Sequence, residues 1–152
     1  MELKITVFKK PTTQHYQLLL AADPSKELID SYLNRSFCYQ ATAQGQLVGI
    51  IILLPTHPET LEIVNIAVDP KIRNQGIGQQ LLTFAEKTAR NKKFKCLEIG
   101  TGSTSFAQLY LYQKRGFRIV GIDQDFFSIH YNKEIIENKL VLKDMLRLKK
   151  LL

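Results

Sequence analysis

The sequence predicts a single α/β domain spanning residues 1–152, with an antiparallel beginning and a strand–helix–strand–helix–strand second half. Three observations predict it. The β-rich runs 37–43, 47–54 and 62–68 follow one another with short breaks, as successive paired strands do. Two runs of helical periodicity, 79–92 and 105–115, then alternate with the short apolar runs 95–100 and 117–122. The chain has 152 residues, 45% of them hydrophobic and 23% charged, which suits one core and leaves little room for a second.

Taken in order, Lys4–Lys9 alternates weakly and reads as a first strand, and Thr12–Ala22 reads as a short helix. Asp23-Pro24 has the form of an N-cap followed by proline at the first helical position. Beyond it Leu28, Ile29, Tyr32 and Leu33 fall on one helical face. Phe37–Ala43 and Leu47–Leu54 form a hairpin about Gln44-Gly45-Gln46, ended by Pro55 and Pro58. Glu62–Val68 is a third strand, broken by Asp69-Pro70. Gln79–Lys92 is a helix whose Leu81, Leu82, Ala85 and Ala89 face inward. Lys95–Gly100 is a strand, and Ser105–Arg115 a helix that starts from "TGSTS" and stops at Gly116. Phe117–Ile122 is again a strand. Residues 139–149 fit two patterns. As a strand, Leu140, Leu142, Leu146 and Leu148 line one face, interrupted at Asp144; as a helix, Val141, Met145, Leu148 and Leu152 form a stripe. The strand is preferred, because Leu140-Val141-Leu142 is β-friendly and the alternation is longer.

The 21 Lys+Arg exceed the 14 Asp+Glu, for a formal charge of +7. The surplus is scattered, and its longest unbroken run is Lys92-Lys93. Neither the basic-aromatic pattern of an RNA-binding strand nor a helix-turn-helix signal accompanies it, so nucleic acid is not the expected partner. Cys38 and Cys96 lie far apart without metal-site spacing, so neither a zinc site nor a disulfide framework is expected. "MELKITVFKK" lacks the apolar region of about 7–15 residues that a secretory signal needs, and no run approaches membrane-spanning length. A cytoplasmic protein with no membrane partner and no metal is the expectation.

The chemistry concentrates in "IAVDPKIRNQGIG", which passes from strand to helix through Gly76 and Gly78. Amides at a helix start have no intrahelical acceptor, and the helix dipole adds partial positive charge. Glycines let a phosphate approach those amides, and Arg73 supplies a charged contact. Each dipole contact is worth only ~0.3–1 kcal/mol, so several amides must converge to hold a pyrophosphate. The stretch is neither a GxxxxGK[ST] loop nor a dinucleotide fingerprint, whose third glycine would fall at Leu81. By itself G-x-G is equally a turn.

Arg73-x-x-Gly76-x-Gly78 after a strand ending in "AVDP", followed later by "LYQKRGF", resembles the GNAT superfamily of acetyl-CoA-dependent N-acetyltransferases. The element order from Leu3 to Leu148 is also similar to that family's β-α-α-β-β-β-α-β-α-β-β plan. The resemblance implies a mixed, mostly antiparallel sheet of about seven strands with helices on both faces. It implies acetyl-CoA as cosubstrate and an enzyme that acetylates a primary amine, either a small molecule or a peptide, by direct attack in a ternary complex. A CoA-binding or regulatory module without catalysis is the alternative. The resemblance makes a homodimer an expectation too, although no residue here carries it.

Residue by residue, the resemblance assigns Ile66, Ala67 and Val68 to the pantetheine arm and the acetyl carbonyl, across a splayed gap beside Lys95–Gly100. Arg73, Asn74, Gln75, Gly76, Ile77 and Gly78 would wrap the pyrophosphate, with Gln79 near the helix start. Ser105, where the family usually has asparagine, and Tyr112 lie roughly two helical turns (about 10 Å) apart on one face. Ser105 would meet the middle of CoA and Tyr112 its sulfur. For Tyr110 a core position is preferred.

An alkylamine of pKa ~10.4 must lose a proton to attack at pH 7, at ~4–5 kcal/mol, so a nearby carboxylate or water chain is needed to take it. "EIVNIAV" resembles the histone-acetyltransferase branch, where a glutamate at the position of Glu62 is the base. Strand alternation puts Glu62 on one face with Val64, Ile66 and Val68. An exposed strand-start glutamate is the plain alternative, and Glu98 is a second candidate base. Tyr112 would hydrogen-bond the departing thiolate, since a phenol of pKa ~10 is a weaker acid than a thiol of ~8.5. The stretch 121–139 collects Asp123, Asp125, Phe126, Phe127, His130, Tyr131 and Glu134. It reads either as an acidic-aromatic rim for a cationic amine or as a packing or dimer segment, with His130 structural.

Overall fold

The computed structural model describes residues 2–152. Its first half comprises β1 (Lys4–Val7), α1 (Thr13–Ala22), α2 (Lys26–Leu33), β2 (Phe37–Ala43), β3 (Gln46–His57) and β4 (Thr60–Val68). After a 3₁₀ turn at Pro70–Ile72 come α3 (Ile77–Asn91), β5 (Cys96–Gly102), α4 (Phe106–Lys114) and β6 (Arg118–Asp123). The chain ends with α5 (Phe126–His130), β7 (Ile136–Glu137), β8 (Leu140–Val141) and β9 (Met145–Leu151). Seven strands form one sheet in the order β1-β2-β3-β4-β5-β9-β6. All neighbours in it are antiparallel except β4 with β5. The mixed, mostly antiparallel sheet matches the expected architecture.

β3 sits centrally with both faces covered, which is why "GIIILL" is apolar without alternation. Ile50, Ile52 and Leu54 pack with α1 and α2 on one face, and Ile51 and Leu53 join α3 and α4 on the other. Leu81, Ala85 and Ala89, spaced one turn apart along α3, are fully buried, with Leu82 beside them, as the periodicity required.

β4 departs from regular pairing. Ile52 lies opposite Asn65 while Leu53 lies opposite Ile63, so Val64 is an extra residue without its own partner on β3. A bulge of this kind bends the strand and resets its alternation. Leu61 and Ile63 face α3, Val64 and Ala67 pack on the α1–α2 side, and Ile66 and Val68 face α3 again. Glu62 therefore shares a face with Val64 but not with Ile66 and Val68, contrary to simple alternation.

Other differences have local causes. The N-cap of α2 is Ser25, whose hydroxyl accepts from Leu28 N at 3.2 Å; Asp23 instead closes α1 and accepts from Ser25 N at 3.1 Å. β3 continues through Pro55 to His57, tolerated because its pairing is irregular there. Residues 139–149 are not one strand. Asn138 and Lys139, both at positive φ, turn a small hairpin between β7 and β8; of the four leucines only Leu146 and Leu148 belong to β9, and Leu142, also buried, lies between β8 and β9. Tyr110 is 68% exposed, outside the core, with the Lys114 ammonium 5.7 Å above its ring.

Leu81→Ala is expected to lower stability by about 2–5 kcal/mol, the range for truncating a fully buried leucine, measured by urea unfolding.

Candidate active site

β4 and β5 pair only from Thr60 with Cys96 to Ile63 with Ile99. Beyond that point β4 follows β3 to Val68 and β5 follows β9 to Gly102. The facing edges part where Val64 bends β4, and their backbone groups are left without the ladder partners that a closed sheet would give them. Ile66, Ala67 and Val68 form the β4 side of this splay.

Next to it lies the start of α3. Gly76 is its N-cap at φ +77°, and no side chain caps the helix. The first helical bond runs from Gln80 N to Gly76 O, so the amides of Ile77, Gly78 and Gln79 precede the helix ladder. The helix begins two residues before the expected Gln79. Ile77 sends its side chain into the core and can contribute only its backbone to the loop. Asn74 also has positive φ, at +65°, so Arg73, Asn74 and Gln75 curl tightly before the glycine. Asp69 fixes the approach by accepting from Lys71 N at 2.9 Å. At Gly78 an added Cβ would meet only Val68 Cγ2, at 4.0 Å. The cradle is thus open to a ligand and uncrowded by the protein, as a pyrophosphate site requires.

On α4, Tyr112 is 5% exposed, and burial pushes its phenol up to about 12. Ser105 is not within the helix but caps it, and its hydroxyl donates to Glu137 Oε1 at 2.6 Å. Thr104 donates to the same oxygen at 3.2 Å, and Asn138 Nδ2 donates to Thr104 O at 2.7 Å. These bonds hold the β7–β8 hairpin against the start of α4. A Ser105 contact with any ligand would have to compete with Glu137, a partner that the distance along the chain hid.

Glu62 lies on the opposite sheet face from Leu61 and Ile63, at the β5 side of β4, beside Glu98 in the parallel register. Its side chain is 21% exposed. Burial raises its pKa above the ordinary carboxylate range; Arg147 opposes the shift, while Glu98 and Asp123 add to it. Arg147 Nη1 donates to Glu62 Oε2 at 3.4 Å, and its Nε donates to Asp123 Oδ2 at 2.7 Å. Nothing in the sequence pattern singles out Arg147, because β9 meets β4 only across β5.

Residues 123–138 contain α5, whose Phe126 packs against Phe127, His130 and Tyr131. The Tyr131 hydroxyl donates to Asp23 Oδ1 at 2.7 Å, tying this stretch to the α1–α2 connection. Burial, then Asp23, raises the Tyr131 phenol well above its usual value. Part of the segment therefore packs, while Asp123 and Phe126 meet Arg147 near Glu62.

Known proteins share this sequence and this fold. The sequence profile of the Acetyltransferase (GNAT) family matches residues 7–117. The uncharacterized N-acetyltransferase YvbK of Bacillus subtilis is 47% identical over 97% of this chain and 95% of its own. A B. subtilis acetyltransferase solved in complex with CoA superposes with a TM-score of 0.95 at 46% identity, covering 99% of each chain. A GNAT family acetyltransferase from Elizabethkingia anophelis with acetyl-CoA bound gives 0.95 at 47% identity, over 99% of this chain and 98% of that one.

Gly78→Leu is expected to weaken CoA binding at least about tenfold (1.4 kcal/mol) by calorimetry. The melting temperature should hold, because a Cβ at this position meets no protein atom closer than 4.0 Å.

Proposed function

The chain belongs to the GNAT acetyltransferase family, and on that premise we propose that it transfers the acetyl group of acetyl-CoA to a primary amine within a ternary complex. The observation that carries this reading is the adjacency of the β4–β5 splay and the uncapped start of α3. One ligand with an amide-containing arm and a pyrophosphate matches both sets of backbone groups. Acetyl-CoA supplies the activated thioester. The β4 edge at Ile66, Ala67 and Val68 takes the arm and directs an amide to the acetyl carbonyl, and residues 73–79 take the pyrophosphate.

Glu62 is the base in this reading. A carboxylate of ordinary pKa, ~4.3, is poorly matched to an amine, and a raised one accepts the proton at smaller cost. Its burial and its carboxylate neighbours act in that direction. The sign follows: below its raised pKa Glu62 is protonated and idle, and activity rises as pH rises through that value. Tyr112 donates a hydrogen bond to the departing sulfur. With its phenol near 12, full proton transfer to a thiolate of ~8.5 would be uphill by about 5 kcal/mol. The phenol therefore stays protonated at every working pH and serves as a permanent donor.

A panel of primary amines, followed by acetyl-CoA-dependent release of free thiol, tests the activity. CoA binding with no thiol release from any amine would instead favour a module without catalysis. With an accepted amine, Tyr112→Phe is expected to lower kcat about 10–100-fold, as loss of one transition-state donor of roughly 1.4–2.7 kcal/mol. Glu62→Gln is expected to lower kcat about 10²–10⁴-fold and to abolish the acid-side limb of the pH profile. An unchanged limb in Glu62→Gln would reject Glu62 as the base.

A further inference from the structure

Arg147 occupies a position prepared for it from three sides. On β5, Gly100 lies directly opposite it. A Cβ there would come 3.1 Å from Arg147 Nη1 and 2.8 Å from Met145 Sδ, so the glycine leaves the passage by which the guanidinium crosses β5. On β6, Asp123 accepts from Nε at 2.7 Å. From α5, the Phe126 ring lies under the guanidinium, 5.5 Å from Cζ to centroid. What remains directed at β4 is Nη1, 3.4 Å from Glu62 Oε2.

We infer that Arg147 is a positioning residue for the Glu62 base: it fixes the carboxylate from across β5 and favours its ionised form. The inference rests on the reading of Glu62 as base. The short bond to Asp123 and the ring below hold the guanidinium, while the longer contact leaves Glu62 free to take a proton. A planar fork can serve two carboxylates at once from one fixed plane, which a lysine ammonium cannot do as well.

The groups facing Glu62 are Arg147 of β9, Glu98 of β5, Asp123 of β6 and His57 of β3. Glu98 is itself 4.0 Å from Lys149. Burial and the two carboxylates favour the protonated form, and Arg147 is the largest influence against it. Removing Arg147 therefore shifts Glu62 toward its protonated form, which cannot accept a proton.

The test titrates the Glu62 carboxyl by ¹³C NMR in the full chain, with folding checked by thermal melting. Arg147→Gln is expected to raise the midpoint by about one pH unit, a tenfold change in proton affinity. Arg147→Lys should recover part of the shift. Gly100→Ala keeps both charges and displaces the guanidinium, so it should move the midpoint the same way. A midpoint unmoved in Arg147→Gln and Gly100→Ala overturns the inference. With an accepted amine, the acid-side limb of kcat should follow the midpoint while KM for acetyl-CoA stays constant. If Glu62→Gln abolishes that limb but Arg147→Gln leaves it in place, the inference fails and the base assignment stands. If Glu62→Gln leaves the limb intact, the base assignment itself fails and Arg147 has no catalytic part through it.

Discussion

Val64 has no partner of its own on β3, and β4 must bend to accommodate it. The site depends on this irregularity. A regular β4 could continue its parallel ladder with β5, and the edge at Ile66–Val68 would be spent on sheet hydrogen bonds. Bent at Val64, the strand stops pairing after Ile63 and keeps those groups available. The same extra residue turns Glu62 to one face of the sheet and Ile66 and Val68 to the other. In the proposed reaction, donor contacts and proton transfer thereby fall to different parts of one strand, with the sheet itself between their side chains.

The bend is held by a polar contact. Asn65, 4% exposed and next to the extra residue, donates from Nδ2 to Leu19 O at 3.1 Å and to the Tyr32 hydroxyl at 3.0 Å. It links β4 to α1 and α2 at the point where the strand is least regular. Asp23 at the end of α1 receives the Tyr131 hydroxyl, which brings the segment after β6 to the same end of the molecule. Burial acts on both proposed catalytic groups in the same sense. It raises Tyr112, which suits a group that must keep its proton, and it raises Glu62, which suits one that must accept a proton.

The turn from strand to helix at 73–79 was legible because it is built from local backbone. Glycine at Gly76, an arginine at Arg73 and the change from strand to helix pattern all lie within a few residues. The inward face of α3 was legible for the same reason, since periodicity records burial directly. Ser105 was misplaced by one cap position, and its tie to Glu137 lay outside any local pattern. Residues 139–149 misled because the β-friendly alternation continued across the break between Val141 and Met145, joining residues of β8 and β9 into one apparent strand.

Sequence by itself determined the element order from β1 to β6 and the glycine-lined passage from strand to helix at the start of α3. Tertiary structure alone decided which way Glu62 points, because one unpaired residue resets an alternation that sequence reads as continuous. It also decided that Arg147 reaches Glu62 past Gly100, with Asp123 and Phe126 holding it. Local patterns follow from neighbours along the chain. An ion pair between the fourth and ninth strands exists only once the sheet has placed a glycine between them.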